Sequence, residues 1–253
     1  MSLLARADLE SLLRARKLDR TLTSALPPHV ERDARAVATT DLAAVDARLG
    51  GGFPRGHLSE LVGQRSSGRT SVLLQTLAAA TARGELVALV DALDMFDPAS
   101  ASAAGVDLER VLWVRGHVVT NPGLCSDINQ RAVEQAVKAL MLILQAGDFG
   151  IVAFDMGEAP EGAIRRLPFT TWLRLQRVIE GSQTACVLVS TEPMARSSAG
   201  LTVRVARAGR AGEAGWAGRL FPGLDLELQV IRARARMQED SRVALTTRVA
   251  AYV

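Results

Sequence analysis

The run Gly63-Gln64-Arg65-Ser66-Ser67-Gly68-Arg69-Thr70-Ser71 constrains this chain more than any other. A strand-like apolar stretch with Leu58, Leu61 and Val62 precedes it. A helix-like stretch with Val72, Leu73, Leu74 and Leu77 follows. Strand, glycine-rich loop and helix together make a phosphate cradle. The loop amides point at an anion, and the helix adds its positive N-terminal end. The pattern for such a cradle is G-x-x-x-x-G-K-[ST]. The chain meets it at every position but one, with Arg69 standing where lysine belongs. On this reading Gly63, Ser66, Ser67, Gly68, Arg69, Thr70 and Ser71 hold the ligand. The other reading is a Gly/Ser turn with no ligand, and the flanking strand and helix favour the cradle.

The one departure has chemical weight. Lysine is a compact point charge, whereas arginine is planar, bulkier and fork-shaped. Arginine contacts phosphate, but with a different geometry around a transferring phosphoryl group. Nucleotide binding is expected to survive the exchange better than hydrolysis.

Composition bounds the remainder. The 253 residues are 48% hydrophobic, enough for one sizeable core. Two cysteines, Cys125 and Cys186, imply no disulfide framework, and Cys186 lies in an apolar run as a core residue would. No signal peptide and no membrane-length apolar run is evident, so a soluble, cytoplasmic, nucleoid-associated protein is expected. Charge is uneven. Residues 160–253 carry 14 arginines against eight acidic residues, while the whole chain is only +3. Such a half suits a phosphate backbone or an acidic partner. A general preference for arginine over lysine is the alternative.

Along the chain, residues 2–20 read as an amphipathic helix, followed by a connector through Pro27 and Pro28. Apolar runs at 86–90, 111–114, 151–154 and 185–189 have strand length and suit a parallel sheet buried on both faces. The 3.6-residue period predicts a helix over 129–146. A second helical stretch over 161–181 is interrupted by Pro168. Residues 201–205 and 224–230 alternate, predicting a terminal antiparallel hairpin. The organisation read is an N-terminal helix and connector (1–36), a core (37–231) and an Arg-rich tail (232–253). Asp155 ends its strand downstream of the cradle. There a carboxylate can hold Mg2+ beside the Thr70 hydroxyl.

Several of these features together resemble the ATPase core of the RecA family. They are Leu49-Gly50-Gly51-Gly52-Phe53-Pro54-Arg55-Gly56, Glu60, the loop at 63–71, Leu89-Val90-Asp91-Ala92, Asp97-Pro98, Gly105-Val106-Asp107 and Asp155. The resemblance covers roughly 37–195. It implies an α/β fold, a RecA-like P-loop core with a mostly parallel central sheet flanked by helices, and ATP with Mg2+ as cofactors. In that family a water-activating glutamate follows the Asp-Ala pair. Here Leu93 takes its place, and Asp94, one residue on, is the candidate catalytic carboxylate alongside Arg69. Where the family senses phosphate with an amide side chain, this chain reads Ser190-Thr191-Glu192. The space for a first DNA-binding loop, 158–168, is short. With its N-terminal arm and Arg-rich tail, the chain is similar to ImuA-type accessory proteins of translesion synthesis. That likeness implies an ImuB-like Y-family polymerase homologue as partner, with RecA and single-stranded DNA as further partners and no membrane. The SulA-type division inhibitors belong to the same wider group but lack a convincing cradle.

Overall fold

The computed structural model describes residues 36–116, 126–157, 159–195, 199–208, 225–233 and 242–246. The helix expected at 2–20 lies outside these residues. The described segments belong to one compact unit, Ala34–Val253.

A short pair, β1 (Val37–Ala38) with β2 (Phe53–Pro54), flanks α1 (Ala43–Arg48). Next come β3 (Leu58–Val62), α2 (Arg69–Ala82), β4 (Val87–Asp91), α3 (Pro98–Ala103) and β5 (Val111–Arg115). They are followed by α4 (Ser126–Ala146), β6 (Ile151–Asp155), α5 (Glu161–Arg165), α6 (Phe169–Ile179) and β7 (Ala185–Ser190). The strands β8 (Leu201–Arg207), β9 (Asp225–Ala233) and β10 (Arg242–Thr246) complete the described fold. The main sheet runs β10-β9-β8-β3-β7-β6-β4-β5. From β8 through β5 every pairing is parallel. The β8–β9 and β9–β10 pairings are antiparallel.

The continuous apolar runs behave as a doubly covered sheet requires. All residues of β3, β4 and β7 are buried. One face packs on α1, α2 and α3 through Leu49, Leu73, Leu77 and Ala101. The other packs on α4, α5 and α6 through Leu140, Ala163, Trp172 and Leu175. Pro168 divides the second helical stretch as expected, standing at the N-cap of α6. Cys186 is a core residue, and burial pushes its thiol up to about 12. No helix among the described residues is long and apolar enough to cross a membrane.

One boundary needs correcting. The core was expected to stop at residue 231, with the tail outside the sheet. Instead β9 runs on to Ala233, and residues 242–246 form the edge strand β10. The exposed and half-buried residues of β10 alternate, as suits an edge strand with one solvated face. An edge strand tolerates charge on its open side. Arg242 sits on the strand's exposed side and pairs with Glu227 at 3.2 Å.

Below the sheet, Arg55 gathers the starts of several strands. Its guanidinium donates to Gly150 O (3.0 Å), Gln183 O (2.7 Å) and Glu85 Oε1 (2.8 Å), and its Nε donates to Val37 O (3.2 Å). The side chains of Arg55 and Glu85 are only 11% and 22% exposed. Removing Arg55 leaves the carbonyls of Val37, Gly150 and Gln183 without this donor, while Glu85 keeps Arg83 at 3.0 Å. Arg55→Ala is therefore expected to lower stability by about 1–3 kcal/mol, read from urea unfolding. Arg55→Lys should recover little of this, because lysine lacks the planar fork.

Candidate functional site

At the end of β3, Gly63 stays in the sheet and its amide donates to Ser190 O at the mouth of β7 (3.1 Å). The loop then folds on itself, with Ser67 N donating to Gln64 O (3.0 Å). Ser66 and Gly68 take left-handed conformations, at φ 60° and 93°. Gly68 is the N-cap of α2 and has no side chain to cap it, the Arg69 amide donates to Ser67 Oγ (3.4 Å), and the first turn holds no acidic residue. The first-turn amides and the positive end of the helix are thus turned toward the loop. Leu226 of β9 backs the turn: a Cβ on Gly68 would lie 2.5 Å from its Cδ2. Glycine is required at 68 for both its backbone angle and its close neighbour.

Arg69 is only 6% exposed. Its Nη1 donates to Gly63 O. The guanidinium lies against Gly157, where a Cβ would stand 3.0 Å from both Cζ and Nε. Gly157 follows β6 by two residues, and β7 stands between β3 and β6 in the sheet. The side chain therefore crosses the carboxyl ends of the central strands, beneath the loop.

Arg69, Thr70, Asp155 and Gly157 line one end of a cleft of about 200 Å³. Its walls include Leu73, Leu93, Met95 and Phe96, and its other carboxylates are Asp91 and Asp97. Each carboxylate in the cleft holds main chain. Asp91 accepts Met95 N (3.0 Å), Phe96 N (2.8 Å) and Trp113 Nε1 (3.3 Å). Asp97 caps α3 through Ala99 N and Ser100 N. The Ser100 hydroxyl and amide hold the Asp97 carboxyl below its usual range. Asp155 Oδ1 accepts Gly157 N (2.8 Å). Glu60, fully buried in β3, likewise holds Met194 N and Ala195 N (2.7 Å each).

Asp94 is elsewhere. The residue lining the cleft after Ala92 is Leu93, and Asp94 is not among the lining residues. Both oxygens of Asp94 accept from Arg115 at 2.8 Å. Arg115 in turn stacks 4.6 Å over the ring of Trp113. Asp94 turns away because its backbone is left-handed, at φ 57°. On the far side of the loop a second groove holds Arg65, Thr191, Glu192, Arg204 and Arg207. There Glu192 bridges Gln64 (3.2 Å) and Arg204 (3.3 Å).

A glycine-rich loop closing a parallel sheet strand onto an uncapped helix defines a P-loop nucleotide-binding core. The RecA N-terminal domain family matches residues 24–249, and the chain belongs to that family. It is 31% identical over 171 residues to Protein RecA of Chlorobaculum parvum, covering 62% of this chain and 45% of that protein. It is 46% identical over 154 residues to Protein RecA of Lactobacillus delbrueckii subsp. bulgaricus, covering 58% of this chain and 45% of the relative. The chain thus spans less than half the length of the curated relatives it matches. The crystal structure of the RadB recombinase shares the fold, with a TM-score of 0.54 at 18% identity. That likeness covers 82% of this chain and 94% of the other.

The loop amides and the guanidinium beneath them fit a polyphosphate. The donors present for Mg2+ are the Thr70 hydroxyl and Asp155. One oxygen of Asp155 holds the Gly157 amide, and a fixed cation lies on Gly157. A divalent ion wants oxygen ligands in near-octahedral array and is repelled by a neighbouring positive charge. The arrangement fits the nucleotide's phosphates and is a poor seat for the ion.

The Gly157 contact was not readable from sequence, since nothing marks that glycine until the reach of Arg69 is known. The bond from Arg115 holds the Asp94 carboxyl below its usual range. Its contribution to stability is therefore full above the ordinary carboxylate range and is lost as pH falls through the lowered value. Asp94→Asn is expected to destabilise at neutral pH, with the difference from wild type vanishing at acid pH in thermal melts. Its effect on nucleotide affinity should stay within about twofold, because the residue lies outside the cleft.

Proposed function

We propose that this protein is a nucleotide-binding accessory factor in damage-induced, error-prone translesion DNA synthesis. In this role it acts beside an ImuB-like Y-family polymerase homologue, with ATP turnover slow or absent. The observation that carries the reading is a retained phosphate cradle facing a cleft in which, among the described residues, every carboxylate is bonded to backbone. Leu93 occupies the place of the catalytic carboxylate, and Asp91, Asp97 and Asp155 are bonded to backbone. Losing a positioned general base costs about 10²–10⁴-fold in rate. Positioning and charge from the loop and Arg69 remain. A non-hydrolysing adaptor is the second reading, favoured by those same bonded carboxylates. A SulA-like role fits less well, because the cradle is intact.

Arginine on the surface supports contact with RecA or single-stranded DNA. Arg165 and Arg166 at α5, and Arg174 and Arg177 on α6, are exposed. So are Arg204 and Arg207 on β8. Binding through such groups would weaken steeply with salt.

Titration with ATP and measurement of phosphate release test the reading together. ATP should bind at or below about 1 mM, the upper end of ordinary enzyme affinities. Turnover should be barely measurable and should rise at least about tenfold in Leu93→Glu, which returns a carboxylate to the cleft. Absence of ATP binding by the folded protein, with polymerase-homologue binding intact, would reduce the protein to a scaffold.

A further inference from the structure

The outer groove gets its place from the sheet. Val62, the last residue of β3, stands opposite Arg204 in parallel register. Gly63 follows and packs directly on β8, where a Cβ would lie 2.5 Å from Val205 O. Loop and strand part only beyond this point, leaving a groove of about 390 Å³ between the loop tip and the end of β8. Gln64, Arg65 and Ser66 line one side, and Arg204 and Arg207 the other. All five are exposed. The side chains of Arg65 and Arg207 have no hydrogen-bond or ion-pair partner among the described residues. Arg204 has Glu192 at 3.3 Å, with both side chains 46% exposed. Three guanidiniums against one carboxylate leave the groove with a net charge of +2. Positive charge gathered in a concave site raises the local potential and attracts an anionic partner.

We propose that this groove docks an acidic peptide segment of a protein partner, one carrying at least two carboxylates. This narrows the partner contact proposed above to a protein, and it rests on that contact and not on the nucleotide. Glu192 already displays the chemistry. One of its oxygens accepts from Gln64 Nε2 (3.2 Å) and the other from Arg204 Nη2 (3.3 Å). Exposed pairs of this kind are weak, so an incoming carboxylate exchanges with Glu192 at little cost. The planar forks of the arginines match carboxylate oxygens bidentately. Phosphate oxygens would meet the same forks, but a nucleic-acid strand runs over several nucleotides and stacks its bases on aromatic rings. Among the described residues no aromatic side chain lines the groove. The positive run also stops at once along the sheet, where Ala206 stands opposite Glu227 of β9. A short acidic segment fits within those limits.

Fluorescence anisotropy of the intact protein at low salt tests this, with labelled hexaglutamate as the probe and hexaglutamine and hexathymidylate as comparisons. Hexaglutamate should bind and hexaglutamine should not. Arg204→Glu and Arg207→Glu should each weaken hexaglutamate at least about tenfold, since each turns an attraction into a repulsion. Arg174→Glu on α6 makes the same charge change outside the groove and should alter binding less than about twofold. Glu192→Gln should strengthen binding about threefold by removing the internal competitor. ATP affinity of the Arg207→Glu protein should stay within about twofold of wild type, because the loop separates groove from cleft. Folded protein that fails to bind hexaglutamate at about 1 mM overturns the proposal and leaves the nucleotide reading untouched. So does binding that both groove substitutions leave unchanged. Equal loss in Arg174→Glu would show general charge attraction and would also overturn it. Tighter binding of hexathymidylate, with the same sensitivity to Arg204→Glu, would make the groove a nucleic-acid site instead.

Discussion

A guanidinium placed almost out of water must find partners, because an unpaired buried charge costs far more than any single contact returns. Arg69 meets that demand at the centre of this molecule. One acceptor is the Gly63 carbonyl, held where β3 leaves the sheet, and the guanidinium lies close to Gly157 beyond β6. Both partners depend on the strand order, which sets β7 alone between β3 and β6. The loop between Gly63 and Arg69 is consequently tied at both ends.

The acidic residues around this centre hold structure. Asp91 fixes the turn after β4 by gathering two amides and the Trp113 ring N–H. Trp113 meets Phe96 edge to face, with centroids 5.2 Å apart, which stiffens the same turn. Glu60, buried in β3, holds the segment after β7 in the same manner. A carboxylate that holds backbone amides in this way has oxygens committed to fixing the segment it binds. The cleft therefore keeps the loop and sheet architecture of the RecA family, and each of its carboxylates accepts at least one backbone amide.

The antiparallel strands beyond β8 are part of this centre. Leu226 of β9 presses on Gly68, so the hairpin that follows the parallel sheet also limits the geometry of the cradle. Arg204 and Gln64 share Glu192, a second, more exposed link between β8 and the loop tip. Such an exposed pair contributes little stability, but it sets the side chains that border the outer groove.

Local pattern made much of this legible. Continuous apolar runs marked the buried parallel strands, the 3.6-residue period marked α4, and Pro168 marked the break between α5 and α6, because each signal arises from neighbours in the chain. The glycine-rich loop identified the cradle for the same reason. Three matters were settled only by the fold. Asp94 bonds to Arg115 because a left-handed residue turns it from the cleft. The Arg-rich tail joins the sheet because an edge strand tolerates charge on its open side. Arg69 pairs with Gly157 because the strand order carries two distant segments to one place. The sequence by itself determined which elements form and that a phosphate loop is among them. Tertiary structure decided which side chains meet, since a partner across the sheet is set by topology and leaves no mark on either residue's own neighbours.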